Sequence, residues 1–73
     1  MDYSDKTITM NDGRVFIVIE QVEYENNTYL YLVNDDDDTD SVYLQIKDDK
    51  LLKIDPKLFE EKIFPLFYNK IND

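Results

Sequence analysis

The chain has 73 residues, no cysteine, no histidine and a formal net charge of −9. That excludes disulfides, thiolate metal sites, thiol nucleophiles and imidazole bases. It also makes direct binding to nucleic acid or to an anionic membrane unfavourable at long range.

A single domain over residues 1–73 is expected, near the lower size at which a chain folds without covalent or metal staples. Six tyrosines, four phenylalanines and a hydrophobic fraction of 42% argue for a packed core in spite of the charge. The first twenty residues lack a basic segment followed by an apolar one, so no secretory signal is expected. Val15–Ile19, the longest apolar run, is too short for a bilayer. A cytoplasmic location is the simplest expectation for a cysteine-free chain.

Taken in chain order, Lys6 to Met10 predicts a short strand with Ile8 and Met10 on one face. Asn11-Asp12-Gly13 predicts a hairpin turn, because these residues tolerate positive φ. Arg14 to about Tyr24 predicts a long strand whose first half, Val15 to Ile19, is apolar on both faces and is expected to be covered twice. Glu25-Asn26-Asn27 is the next turn. Thr28 to Asn34 follows as a strand alternating Leu30 and Leu32 with Tyr29, Tyr31 and Val33. An acidic loop, Asp35 to Asp40, leads to a fourth strand, Ser41 to Lys47, with Val42, Leu44 and Ile46 inward. Asp48-Asp49 turns into a short fifth strand, Lys50 to Ile54. Asp55-Pro56 then marks a helix start, with Asp as N-cap and Pro in the first turn. Phe59, Ile63, Leu66 and Phe67 share one helix face, and Pro65 is expected to kink or interrupt the helix. The fold class is thus α+β: a small antiparallel meander of four to five strands within 6–54, and one C-terminal helix within 56–71.

No catalytic constellation emerges. Ser4 and Ser41 have no possible His partner, and the single glycine, Gly13, rules out a Gly-rich phosphate loop. A carboxylate pair needs a sheltered pocket to shift one pKa, which a chain this small has little room to provide. An enzyme is not expected, nor is any cofactor. The acidic run fails as an EF-hand in every register: from Asp36 the glycine position falls on Ser41 and the bidentate glutamate position on Lys47, and from Asn34 or Asp35 the last position is Gln45 or Ile46. No specific metal site is expected.

Charge segregation is the informative feature. Between Glu20 and Asp40 stand eight acids and no base: Glu20, Glu23, Glu25, Asp35, Asp36, Asp37, Asp38 and Asp40. From Val42 to Asp73, six lysines balance six acids. Alternate residues on a strand stand roughly 7 Å apart, comparable with successive phosphates, so this segment has the spacing to imitate a nucleic-acid strand against a basic protein groove. The plainer reading is a solvated acidic surface that keeps the protein soluble. Tyr29, Tyr31 and Tyr43 alternate away from the aliphatic faces of their strands. They form either an open aromatic stripe suited to protein contact or packing beneath the helix.

Thr7-Ile8-Thr9-Met10-Asn11-Asp12-Gly13, the apolar strand after it, Tyr29-Leu30-Tyr31-Leu32-Val33-Asn34, and Leu58-Phe59-Glu60 leading to Ile63-Phe64-Pro65-Leu66-Phe67 together resemble the short acidic proteins of unknown function from Gram-positive bacteria, their phages and mobile elements. The resemblance implies no catalytic residues; it implies a phage or mobile-element setting in which small acidic inhibitors of defence nucleases occur. The expected function is therefore a non-enzymatic acidic domain that binds the basic surface of a protein. Its narrowest form occupies the nucleic-acid groove of a CRISPR effector or restriction enzyme, with the eight acids supplying charge and the three tyrosines anchoring. The alternative is an adaptor that binds through its helix, where Phe64 and Tyr68 lie off the core face, or through a sheet edge. Oligomeric state stays open, because an exposed edge or aromatic stripe pairs equally well with a second copy.

Overall fold

The computed structural model describes residues 2–72. Five strands form one antiparallel sheet in meander order: β1 (Thr7–Thr9), β2 (Val15–Tyr24), β3 (Asn27–Asn34), β4 (Asp37–Lys47) and β5 (Lys50–Leu52). One helix, α1, follows over residues 56–71. The expected α+β meander with a C-terminal helix is what the chain forms.

The turns explain the register. Glu25 and Asn26 both have positive φ (50° and 67°), as do Asp48 and Asp49 (53° and 63°), which is the backbone of the two-residue hairpin turn favoured by sheet twist. Tyr24 therefore faces Asn27, and Lys47 faces Lys50. Asn27 belongs to the strand instead of the turn.

The acidic run differs from expectation. Only Asp35 and Asp36 are turn; Asp37 to Asp40 form the beginning of β4. Asn34 pairs with Asp37 while the neighbouring Val33 pairs with Ser41, so Asp38, Thr39 and Asp40 bulge from the ladder. Side chains brace this irregular stretch. Thr39 donates to Asp37 Oδ1 through both its backbone N–H (3.0 Å) and its hydroxyl (2.6 Å), and the Asp36 N–H donates to Asn34 Oδ1 (2.9 Å).

A second irregularity decides which residues reach which face. In β2 the pairing slips between Val18 and Glu20, leaving Ile19 as a bulge. Before it, Phe16 and Val18 point to the same face as Leu30 and Leu32. After it, Glu20 lies opposite Tyr31 and Val22 opposite Tyr29, so the outward parity of the strand is reversed. The expectation that Val15 to Ile19 is covered on both faces is thereby corrected. Phe16 and Val18 are buried, Val15 and Ile17 are half-buried, and Ile19 is 46% exposed.

Two cores result. The sheet curls into a half-barrel, and its concave face buries Phe16, Val18, Leu30 and Leu32. On the convex face, α1 packs Ile63 and Phe67 against Val22 and Tyr29. Asp55 caps the helix as expected, its carboxylate accepting from the Leu58 N–H (3.1 Å) with Pro56 in the first turn. The helix passes Pro65 by widening. Pro56–Leu58 is α-helical, Phe59–Ile63 is π-helical, and Phe64–Ile71 is α-helical again. The Phe64 N–H bonds back to the Phe59 carbonyl, five residues earlier, so the widened turn just ahead of Pro65 absorbs the ring and the missing donor. Lys70 fastens the far end of the helix, reaching the Gln21 carbonyl (2.6 Å) and the Glu20 carboxylate (3.1 Å) on β2.

Candidate functional site

The fold does not gather the acidic segment into one surface. Because the strands form a meander, the turn at Glu25-Asn26 and the turn at Asp35-Asp36 lie at opposite ends of β3. Eight residues of strand separate them, about 25 Å at 3.3 Å per residue. Glu20 and Glu23 also fall on opposite faces of the sheet, since one pairs across from Tyr31 and the other from Thr28 with the strand parity between them. A continuous run of phosphate-like charges from Glu20 to Asp40 is therefore not formed.

Two of the eight acids are occupied within the protein. Glu20 is half-buried and paired to Lys70, a link between helix and sheet. Asp40 accepts from Arg14 Nη1 (2.6 Å) and from the Asn34 amide (3.0 Å). Glu23 is exposed but hydrogen-bonded, accepting from the Thr28 hydroxyl (2.8 Å) and the Gln21 amide (3.1 Å). Glu25 is exposed in its turn.

What remains is a compact acidic end. The β1–β2 turn brings Asp12 to the same end of the sheet as Asp35 to Asp40; the Asp35 N–H bonds the Val15 carbonyl at 2.8 Å. Six aspartates sit there with one arginine. Arg14 is held by Asp12 (2.7 Å) and Asp40 (2.6 Å), with its guanidinium over the Phe16 ring at 5.1 Å. Hydrogen bonds from the Arg14 backbone and side chain hold the Asp12 carboxyl below the usual range, and the Thr39 hydroxyl and N–H do the same for Asp37. Asp35, Asp36, Asp37 and Asp38 are all exposed, and among the described residues none of them takes part in an ion pair. Arg14 is the residue that sequence reasoning missed. Placed in the sequence only as the first residue of a strand, it organises the acidic end by joining the first turn to β4; only a strand order known in advance would have shown it.

The tyrosines resolve into packing beneath the helix. Tyr29 is 1% exposed in the convex-face core, which removes it as an open anchor. Tyr31 and Tyr43 are half-buried and stack at 4.6 Å. Tyr43 also meets Phe59 (4.9 Å) and Phe67 (5.0 Å) from the helix. Burial pushes the hydroxyls of Tyr29 and Tyr43 upward from their ordinary pKa. The exposed aromatic surface lies on the helix instead: Phe64 (42%), Tyr68 (57%) and Ile71 (52%) recur at spacings of four and three, outside the core face.

Among the described residues no three carboxylates converge closely enough to hold a metal ion, and no helix is long and apolar enough to cross a membrane. No protein-family model matches this chain, and neither a curated protein nor a solved structure matches it.

Proposed function

We propose that this is a non-enzymatic protein-binding domain whose acidic end engages a basic surface on another protein. The observation that carries the reading is Asp35 to Asp38: four consecutive exposed carboxylates, among the described residues free of ion pairs, on a turn and the first residues of β4, braced by Asn34 and Thr39. Charge fixed in place and unneutralised by its own protein speeds encounter with a cationic partner and selects against anionic ones. The compact shape favours a patch that fills the mouth of a nucleic-acid groove over a long imitation of a strand. The narrowest form of the proposal is an inhibitor that occupies this groove in a host defence nuclease of the CRISPR or restriction type, in the cytoplasm.

The test is capture of partners from host lysate at low and high salt, with the wild type and with Asp35 to Asp38 replaced by serine. The expected result is a basic protein lost both at high salt and in the variant, while the variant's thermal unfolding stays close to wild type. Binding that survives the replacement overturns the acidic-end reading.

A second reading is favoured by the stripe of Phe64, Tyr68 and Ile71, an apolar ridge of the kind that docks a helix against a partner's groove. In that case binding tolerates salt and is lost on Phe64→Ser.

A further inference from the structure

The concave face of the sheet is covered by Tyr3 near Lys6 and keeps an open groove between its two edge strands. Its four buried side chains are ringed by apolar residues that stay partly exposed, Ile8, Met10, Leu44 and Leu51 among them. The two edge strands, β1 and β5, flank one trough: Ile8, Thr9 and Met10 line it from one side, Lys50, Leu51 and Leu52 from the other, with Leu44 beneath. The trough continues past Met10 and Leu44 to Phe16 and Val42 at the acidic end.

The backbone bordering this trough has hydrogen-bonding capacity to spare. The Val18 N–H bonds the Lys6 carbonyl (2.9 Å) and the Met10 N–H bonds the Arg14 carbonyl (2.8 Å), which makes Lys6, Ile8 and Met10 the residues of this segment that bond to β2. The alternate residues, Thr7 and Thr9, then turn their N–H and C=O groups away from the sheet. By the same alternation from the tight turn at Asp48-Asp49, Leu51 turns its backbone groups outward from β5. Among the described residues no further strand pairs with either edge. In a five-strand meander β1 and β5 run in the same direction, so one added strand antiparallel to both pairs with both and closes a six-stranded barrel.

We infer that this trough receives an extended segment of a partner protein as a sixth strand, with alternate apolar side chains facing inward and cationic residues at its N-terminal end. The polarity follows from charge. A strand antiparallel to β1 enters at the end carrying Asp12, Asp40 and the neighbouring Asp35 to Asp38, offset there, among the described residues, by Arg14. It leaves at the end where Lys6 and Lys50 accompany Asp49. The inference rests on the protein-binding reading for the partner's charge, and it adds a second contact surface to it.

The experiment uses the full chain, isotope-labelled for NMR, and capped synthetic peptides of about ten residues alternating valine and threonine, with two lysines at the N-terminal or at the C-terminal end. The expected result is protection of the Thr7, Thr9 and Leu51 amides and about tenfold tighter binding of the peptide with N-terminal lysines, the scale of a small change in rim electrostatics. Thr9→Pro deletes an outward N–H without removing a bond to β2, and it should weaken binding while leaving the fold intact; Met10→Glu, at the side of the trough, serves if the proline variant unfolds. Shifts confined to Phe64, Tyr68 and Ile71 overturn the inference, as does equal affinity for both lysine placements. Concentration-dependent protection of Thr7 and Thr9 without peptide overturns it in favour of a second copy. Absence of peptide binding alongside intact Asp35–Asp38-dependent capture removes the strand site and leaves the acidic-end proposal standing.

Discussion

Phe67→Ala is the sharpest test of how the two faces of this sheet are covered. Phe67 is 0% exposed and packs with Ile63, Val22 and Tyr29, its ring 5.0 Å from Tyr43. Removing a fully buried phenylalanine costs about 3–5 kcal/mol in transfer and cavity terms. A chain of 73 residues has a total stability of about 4–11 kcal/mol at ordinary values per residue. The variant should therefore lose between about a quarter and all of its stability. Phe64→Ala is the control. Phe64 is 42% exposed, and its ring contacts to Phe59 (5.7 Å) and Tyr43 (6.3 Å) are peripheral, so its loss should cost on the order of 1 kcal/mol. Urea unfolding followed by far-UV circular dichroism and tyrosine fluorescence reads both, since the chain has no tryptophan. Equal costs for the two variants would refute the placement of the helix over Val22 and Tyr29. A near-neutral Phe67→Ala would mean that the convex face is not a core at all.

The phenol groups supply a pH prediction. Burial raises the pKa of Tyr29 and Tyr43 above 10.0, so the folded state favours their neutral form. The unfolded chain then loses those protons first, so stability is intact below pH 10 and falls as pH rises beyond it; Tyr43→Phe should flatten that fall in urea midpoints measured up to about pH 11. Ile19 gives a cheaper test of the bulge. Ile19→Thr should shift stability by less than about 1 kcal/mol because the side chain is 46% exposed, whereas Val18→Thr places a hydroxyl in the concave core and should cost clearly more. Comparable losses at the two positions, in the same urea assay, would mean that β2 continues past Val18 without a slip. Glu20→Gln keeps an acceptor for Lys70 but removes the charge. It should change stability by under about 1 kcal/mol, the range of partly exposed ion pairs, and should leave partner capture unchanged if Asp35 to Asp38 carry the binding.

Most of the architecture was legible because its signals are local. Asn, Asp and Gly at the turns, two-residue alternation in Leu30 to Leu32 and Val42 to Ile46, and Asp55-Pro56 at the helix start each dictate backbone geometry from adjacent residues. The misplaced features depend on partners far along the chain. The slip at Ile19 is invisible in a strand apolar on both faces, because either parity satisfies the pattern. The extension of β4 back to Asp37 arises from pairing to Asn34 and from hydroxyl bracing by Thr39, whereas an Asp run by itself reads as solvent-seeking loop. The π-helical turn ahead of Pro65 belongs to the same class. Sequence locates the obstacle, and the packing of Ile63 and Phe67 on the sheet decides that the helix widens around it instead of stopping.

The acidic segment shows why charge counted along a chain differs from charge presented to a partner. Glu20 and Asp40 bound the run in sequence, yet each is tied to a cation from a distant element, Lys70 and Arg14. Their carboxylates join helix to sheet and turn to strand. Glu23 and Glu25 belong to the opposite end of β3 from Asp35. Asp12, outside the run in sequence, is brought to the acidic end by the strand order. Subtracting these leaves Asp35 to Asp38 as the accessible charge, beside the mouth of a trough with an apolar floor and two open strand edges. A cationic residue entering there would meet exposed carboxylates, and an extended chain behind it would meet backbone donors and acceptors on Thr7, Thr9 and Leu51. In the proposed complex, charge would set the direction of entry and the edges the conformation of what enters. On the proposals made above, neither requirement would be satisfied by nucleic acid or by an acidic protein, and both surfaces would select an extended segment that begins with lysine or arginine.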